Sequence, residues 1–206
     1  ELPKELNYFI KINNIAYGIP ISFGNHMLLY YNKKLIKKPA TTWADLIRQK
    51  RNLPKGVGLM GVNYRSTYTF LTFWHAFGEQ LIEGDHILLD SKSTVAALDF
   101  YRENTENGVF NPSCNYQCVS TDFFAGKYAY VINGDWEYEN GVSHLKNDLG
   151  VALLPSIDGN PVVSMKSSLV LAFPNQSLSS EKQAALRKFS QYIQSEAFLR
   201  KVHKGI

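Results

Sequence analysis

Nowhere in the 206 residues is there an apolar run approaching the roughly 18 that a transmembrane helix needs. No secretory leader is visible at the start, and the chain opens on Glu1 rather than Met, as expected of a processed protein, an excised domain or a fragment. The signatures of catalysis are missing as well: no nucleophile elbow, phosphate loop, dinucleotide fingerprint or zinc-protease helix. The five histidines (His26, His75, His86, His144, His203) are scattered without a metal-like partner four residues on, and read as surface or structural groups. The acidic residues are dispersed, with no obvious glycosidase pair. Ser167-Ser168 and Ser179-Ser180 read as turn and cap residues rather than nucleophiles. The expectation is a binding protein, with no enzymatic activity, catalytic residue, metal or cofactor.

Cysteine is scarce too. Cys114 and Cys118 stand four apart, a spacing wrong for a zinc knuckle, and no His neighbours them, which argues against a structural metal. They are either a local disulfide of an oxidising compartment or two unrelated thiols. The net charge of +4 is spread out. Its densest runs, Lys33-Lys34 to Lys37-Lys38 and Arg48-Lys50-Arg51, fall in a loop and at a helix end. A nucleic-acid binder concentrates charge on one face with a recognisable motif, so this distribution argues for a solvated surface and against a nucleic-acid partner.

What the chain does have is 45% hydrophobic and 19% charged residues, an ordinary globular balance with enough length for a sizeable core. Strand and helix signals alternate throughout, which predicts an α/β fold with a mostly parallel or mixed sheet. Residues 1–16, with Leu6, Phe9, Ile10 and Ile12, read as the tail of a helix. Tyr17–Ser22 is an extended run whose Pro20 makes it an edge or crossover segment. Met27–Tyr31 is a strand buried on both faces. Helices are expected from Thr42, from Ser66 or Thr67 to Phe77 with Gly78 as the stop, and from Ser91 or Ser93 with Val95, Leu98 and Tyr101 on one face. Ser180 with Gln183 is expected to cap a helix through Ile193, with Leu186, Phe189 and Ile193 inward. Short strands are expected at Val57–Val62, Ile87–Leu89, Gly150–Leu154 and Ser168–Phe173.

The stretch Phe123–Trp136 carries the most information. A helix end, a turn at Gly126-Lys127 and a buried strand Tyr128–Ile132 lead into Asn133-Gly134-Asp135, with Asp135 the expected N-cap of a new helix. Trp136 and Tyr138 then fall just past a strand end, where ligands sit in open α/β sheets.

Several segments in order resemble the family 1 extracellular solute-binding proteins, the maltose-binding-protein-like receptors of ABC importers. Tyr17-Gly18-Ile19-Pro20, Leu29-Tyr30-Tyr31-Asn32-Lys33, and Pro39 to Thr42-Trp43-Ala44-Asp45-Leu46 are similar to that family's crossover strand, "YNK" segment and "P-x-TW-x-(D/E)-L" helix start. Phe124-Ala125-Gly126-Lys127 with Ile132-Asn133-Gly134-Asp135-Trp136 resembles its "F-x-x-G-K-x-A-M-x-(I/N)-G-x-W" segment. Val151–Pro155 and the Ser180–Leu199 helices resemble its second crossover strand and its closing helix pair.

The resemblance implies a periplasmic-binding-protein-like type II α/β lobe, a mixed sheet flanked by helices, with part of a second lobe and the ligand held between lobes. On this pattern residues 1–21 are a lead-in segment and crossover strand, 22–150 a C-terminal-lobe domain, and 151–206 a crossover strand with a partial N-terminal lobe, most of which is missing. The ligand-binding residues it implies are Trp136 as the sugar-stacking plate, Asn25 at the crossover turn, Ser66 and Tyr68 at a strand-to-helix junction, and Tyr138 on the helix after Trp136. Asn25 and Ser66 are neutral where maltodextrin receptors carry carboxylates. The implied partners are a small solute of carbohydrate type and the membrane subunits of an ABC importer, at a periplasmic or extracellular, membrane-associated location. Asp135, Glu137 and Glu139 near Trp136 keep a polyamine open. The alternative reading is a sensor or interaction module on the same fold.

Overall fold

The computed structural model describes residues 10–13, 15–78, 81–173 and 178–202. A hairpin of two-residue strands, β1 (Lys11–Ile12) and β2 (Ile15–Ala16), precedes β3 (Gly18–Gly24) and β4 (Met27–Asn32). Helix α1 (Trp43–Gln49) and strand β5 (Gly58–Gly61) lead to α2 (Thr67–Trp74), the short β6 (Ile82–Glu83) and β7 (His86–Ile87), and α3 (Lys92–Glu106). A π-helical stretch, Cys118–Asp122, feeds β8 (Tyr128–Gly134) and α4 (Tyr138–Leu145). Then come β9 (Leu149–Ala152), β10 (Ser167–Ala172), α5 (Ser180–Ile193) and α6 (Glu196–Val202). Contacts divide the chain into two units, Asn25–Met165 and the residues on either side of it. Residues 151–165 thus count with the larger unit.

The larger unit is built on a mixed sheet of order β5-β8-β4-β9, with β5 parallel to β8 and β4 antiparallel to both β8 and β9. Both faces are covered, and the two-residue period of the strands sorts their side chains. Met27, Leu29 and Tyr31 of β4, with Tyr130 and Ile132 of β8, join the cluster under α1, α2 and α3. Tyr30 and Val131 point the other way, into a cluster with Cys114, Cys118, Val119, Phe123 and Leu145. That two-sided burial is why these strands read as unbroken apolar runs. Each large apolar side chain so enclosed contributes about 1.5–3 kcal/mol.

The aromatic density of α2 is mostly core. Phe73 and Trp74 are buried, and Phe73 packs on Trp43, Phe100 and Phe110 at centroid distances of 5.5, 5.3 and 5.6 Å. The helix begins where Ser66 Oγ accepts the Thr69 N–H and runs through a 3-10 turn to Gly78, whose φ of 98° supplies the left-handed stop.

In the smaller unit β3 and β10 pair antiparallel, with a register shift that skips Ile21 beside Pro20. Pro20 has no N–H to give the ladder, and a bulge is where a sheet tolerates that.

Several local expectations give way to tertiary context. Lys11–Ile12 and Ile15–Ala16 pair as antiparallel strands rather than continuing a helix tail, while Leu6, Phe9 and His203 lie outside the described residues. On α3, Val95 and Leu98 are exposed, and the inward face is Ser93, Ala97, Phe100, Tyr101 and Asn104. Ser93 and Asn104 are satisfied by specific partners: Asn104 Oδ1 accepts the Trp43 indole N–H at 2.9 Å, and Ser93 Oγ donates to Phe77 O at 2.9 Å, while the buried Tyr101 hydroxyl has no hydrogen-bond partner among the described residues. The cap of α5 is Ser179, not Ser180, since its Oγ accepts the Lys182 N–H, and Phe189 stands about half exposed. Of the Ile87–Leu89 run only Ile87 is in a strand, at the end of the exposed two-residue β7. Cys114 and Cys118 form a disulfide, with Cα atoms 5.2 Å apart.

Candidate functional site

Because β4 runs against β5, β8 and β9, the carboxyl ends of three strands and the start of β4 meet at one end of the larger unit's sheet. That is the end where open α/β sheets offer a crevice. Asn25 begins it in a left-handed turn, φ 54°, which Asn tolerates better than most residues. The Asn25 N–H donates to Asp135 Oδ2 at 2.9 Å, and the Asn25 carbonyl accepts the Tyr68 hydroxyl. The same Tyr68 oxygen lies 3.0 Å from Met165 O. His26 Nδ1 is 3.0 Å from Asp135 Oδ2, and the Asp135 N–H donates to His26 O at 3.0 Å.

Asp135 is therefore not the N-cap expected of it. It opens a single 3-10 turn, Asp135–Glu137, that precedes α4, and its carboxylate faces the β4 turn instead. The competing partner wins because β4 and β8 are paired at Met27 and Gly134, which sets the His26 and Asp135 backbones side by side.

Trp136 projects from that 3-10 turn and stays 44% exposed, against 6% for Trp43 and 2% for Trp74. Its six-membered ring lies on Gly134: a Cβ built there would overlap ring atoms. Its Nε1–H donates to Tyr116 Oη at 3.1 Å, and Tyr116 Oη donates to Glu137 Oε2 at 2.7 Å. Glu137 is only 6% exposed, and its other oxygen accepts Asn140 Nδ2 at 3.2 Å. Tyr138 and Tyr116 are both exposed. Below them Tyr30 donates to Gly134 O at 2.9 Å. Burial first, and then Asp135 and Glu137, push the Tyr30 hydroxyl well above the usual phenol range. Tyr116 is raised by burial and by its bond to Glu137, and Tyr68 by burial.

Of the residues singled out from sequence, Asn25 and Tyr68 share a hydrogen bond, and Asn25 is tied to Asp135 beside Trp136. Tyr138 follows two residues on. Ser66 serves as the α2 cap and lines a groove of about 560 Å3 with Tyr64, Phe70, Leu98, Tyr101 and Arg102. Sequence reasoning missed Tyr116, Glu137 as a buried acceptor, and Asn133. The Asn133 Nδ2 donates to Val119 O at 3.1 Å, tying the end of β8 to the π-helical turn.

A family model described as bacterial extracellular solute-binding protein matches residues 1–205. The chain belongs to that family. Among curated relatives, a maltooligosaccharide ABC transporter solute-binding lipoprotein of Streptococcus pneumoniae (strain ATCC BAA-255 / R6) is 26% identical over 165 residues, 70% of this chain and 37% of the relative. The maltodextrin-binding protein MdxE of Bacillus subtilis (strain 168) is 24% identical over 164 residues, 72% of this chain and 39% of the relative. The chain thus spans well under half the length of these solute-binding relatives. Its mixed α/β sheet with helices on both faces is consistent with a periplasmic-binding-protein-like fold. Among the described residues no helix is long and apolar enough to cross a membrane.

Proposed function

We infer that this solute-binding family member receives a carbohydrate, of maltooligosaccharide type, against the face formed by Trp136, Tyr68, Asn25 and Tyr138, and hands it to the membrane subunits of an ABC importer at the outer face of a membrane. Ser66, two residues before Tyr68, caps α2 and lines a groove that includes none of these four residues, so it is left out of this face. The observation that carries the reading is Trp136: a large ring held in the open at the carboxyl end of β8 while the other two tryptophans are buried. A pyranose has apolar C–H faces and a polar rim, so it suits an aromatic plate ringed by amide and hydroxyl groups. The names of the relatives point to the same solute class.

Two of the three carboxylates near Trp136 are committed within the fold, which favours a sugar over a polyamine; the third, Glu139, is exposed. Asp135 is engaged by the Asn25 N–H and His26, and Glu137 is buried and holds Tyr116 and Asn140. Neither offers a free charge to a cation. The test is a thermal-shift and fluorescence titration of the intact protein with maltotriose, using spermidine and inorganic phosphate as comparators. Maltotriose is expected to raise the unfolding midpoint, since a ligand of the native state stabilises it, and to change a fluorescence signal that Trp136→Ala removes. A response to spermidine or phosphate, with none to maltotriose, would overturn the reading.

A further inference from the structure

The plane of Trp136 is set by a chain of hydrogen bonds whose direction has only one solution. A carboxylate is an acceptor, so the Tyr116 proton points at Glu137 Oε2 across 2.7 Å. That leaves the Tyr116 oxygen lone pairs outward. The indole nitrogen is a donor only, and it meets those lone pairs at 3.1 Å. The buried charge on Glu137 strengthens the first bond and through it orients the second.

Tyr116 is itself pinned. It lies between Cys114 and Cys118, inside the ring the disulfide closes. Asn115 Oδ1 accepts the Cys118 N–H at 3.2 Å, which makes Tyr116 the first residue of the turn. Cys114 O accepts the Tyr64 N–H at 3.0 Å, and the Cys118 sulfur sits over Gly61, so the ring is anchored to the segment around β5. The disulfide is buried, but the residue it encloses is exposed beside Trp136. The π-helical widening that follows offers Val119 O to Asn133, which keeps the turn and the end of β8 together. π-turns often mark functional sites for this kind of reason.

We propose that Tyr116 is the positioning residue of this face: enclosed by the Cys114–Cys118 disulfide and oriented by the buried Glu137, it sets the plane of Trp136 and thereby the strength of sugar stacking. The proposal rests on the reading of Trp136 as the stacking ring. The disulfide in this account belongs to the binding face as well as to the core.

The experiment has one arm without ligand and one with maltotriose. Trp43 and Trp74 are buried, so acrylamide quenching of the free protein reports mainly Trp136. Tyr116→Phe keeps the ring and removes the acceptor. It is expected to raise the quenching constant and weaken maltotriose binding about two- to tenfold, the range for one lost hydrogen bond. Glu137→Gln, which keeps the shape and removes the charge, moves both readouts the same way by less. Cys114→Ser/Cys118→Ser reproduces the Tyr116→Phe effect, and adding Tyr116→Phe to it changes little more, because both act through one group.

Unchanged quenching in Tyr116→Phe overturns the proposal whatever the ligand does. Altered quenching with unaltered maltotriose affinity, in a protein where Trp136→Ala abolishes binding, overturns it too. Additive effects of the cysteine and tyrosine changes remove the disulfide from the account. If Trp136→Ala leaves maltotriose binding intact, the stacking reading itself falls and the proposal with it.

Discussion

Gly134→Ala tests the seat of the Trp136 ring. The backbone there, φ −77° and ψ 162°, lies in the extended region open to any residue, so the methyl brings no dihedral strain. What it meets is the Trp136 ring, at Cη2, Cζ3 and Cε3. Something must move, and the strand is the firmer party. Gly134 pairs with Met27, its N–H is held by Asn133 Oδ1 at 2.8 Å, and its carbonyl by Tyr30 at 2.9 Å. The half-exposed indole swings out instead, and its bond to Tyr116 is lost.

The stability effect is small. One hydrogen bond is worth about 1 kcal/mol, and the lower unfolded-state entropy of Ala returns about 0.4–1 kcal/mol. The affinity effect is larger. A displaced plate forfeits on the order of 60–80 Å2 of apolar contact with a sugar ring, about 1.5–2 kcal/mol at 25 cal/mol per Å2. That is about 10- to 30-fold weaker binding of maltotriose by calorimetric titration, with the thermal midpoint nearly unchanged. Undiminished affinity at an unchanged midpoint would refute the ring as the binding surface. A collapse of the midpoint would show that the strand, and not the ring, had yielded.

Two further outcomes concern the core. Asn104→Ala leaves the buried Trp43 indole N–H without its acceptor. It should cost about 1–3 kcal/mol in urea unfolding, and a loss below about 0.5 kcal/mol would show that the bond carries little. Burial pushes the Tyr130 hydroxyl, which donates to Gln49 Oε1 and accepts the Ala40 N–H, from 10.0 up to about 12. Between those pH values the unfolded chain has released a proton that the folded one keeps. Stability from this group is therefore full below pH 10.0 and lost as pH rises towards about 12. Thermal midpoints across that window should fall less steeply in Tyr130→Phe, and an equally steep fall would remove Tyr130 as a contributor.

The elements that could be read from the chain are those whose signals are local. The apolar run Met27–Tyr31 lies in a strand, Met27–Asn32, covered on both faces, because a run too short for a helix and apolar at every position suits a strand enclosed from both sides. Ser66 and Gly78 bracket α2 and its 3-10 extension because a side-chain oxygen and a positive φ are all a helix needs at its ends. The faces of α3 were less legible. Ser93 and Asn104 are buried in place of Val95 and Leu98, since Phe77 O and the Trp43 indole, remote in sequence, supply their hydrogen bonds.

The candidate site divides the same way. The order of apolar runs, caps and stops along the chain determined an α/β fold and put Trp136 just beyond a strand end, because each of those signals acts within a few residues. Whether Trp136 would be core or surface, what would hold its plane, and where the Asp135 carboxylate would point were decided by pairing. β4 against β8 brought Asn25 and His26 to Asp135, and the disulfide-closed turn brought Tyr116 to Trp136 and Glu137 from 20 and 21 residues away. Hydrogen bonds of that separation have no local periodicity to announce them, so only the folded chain could choose the partners.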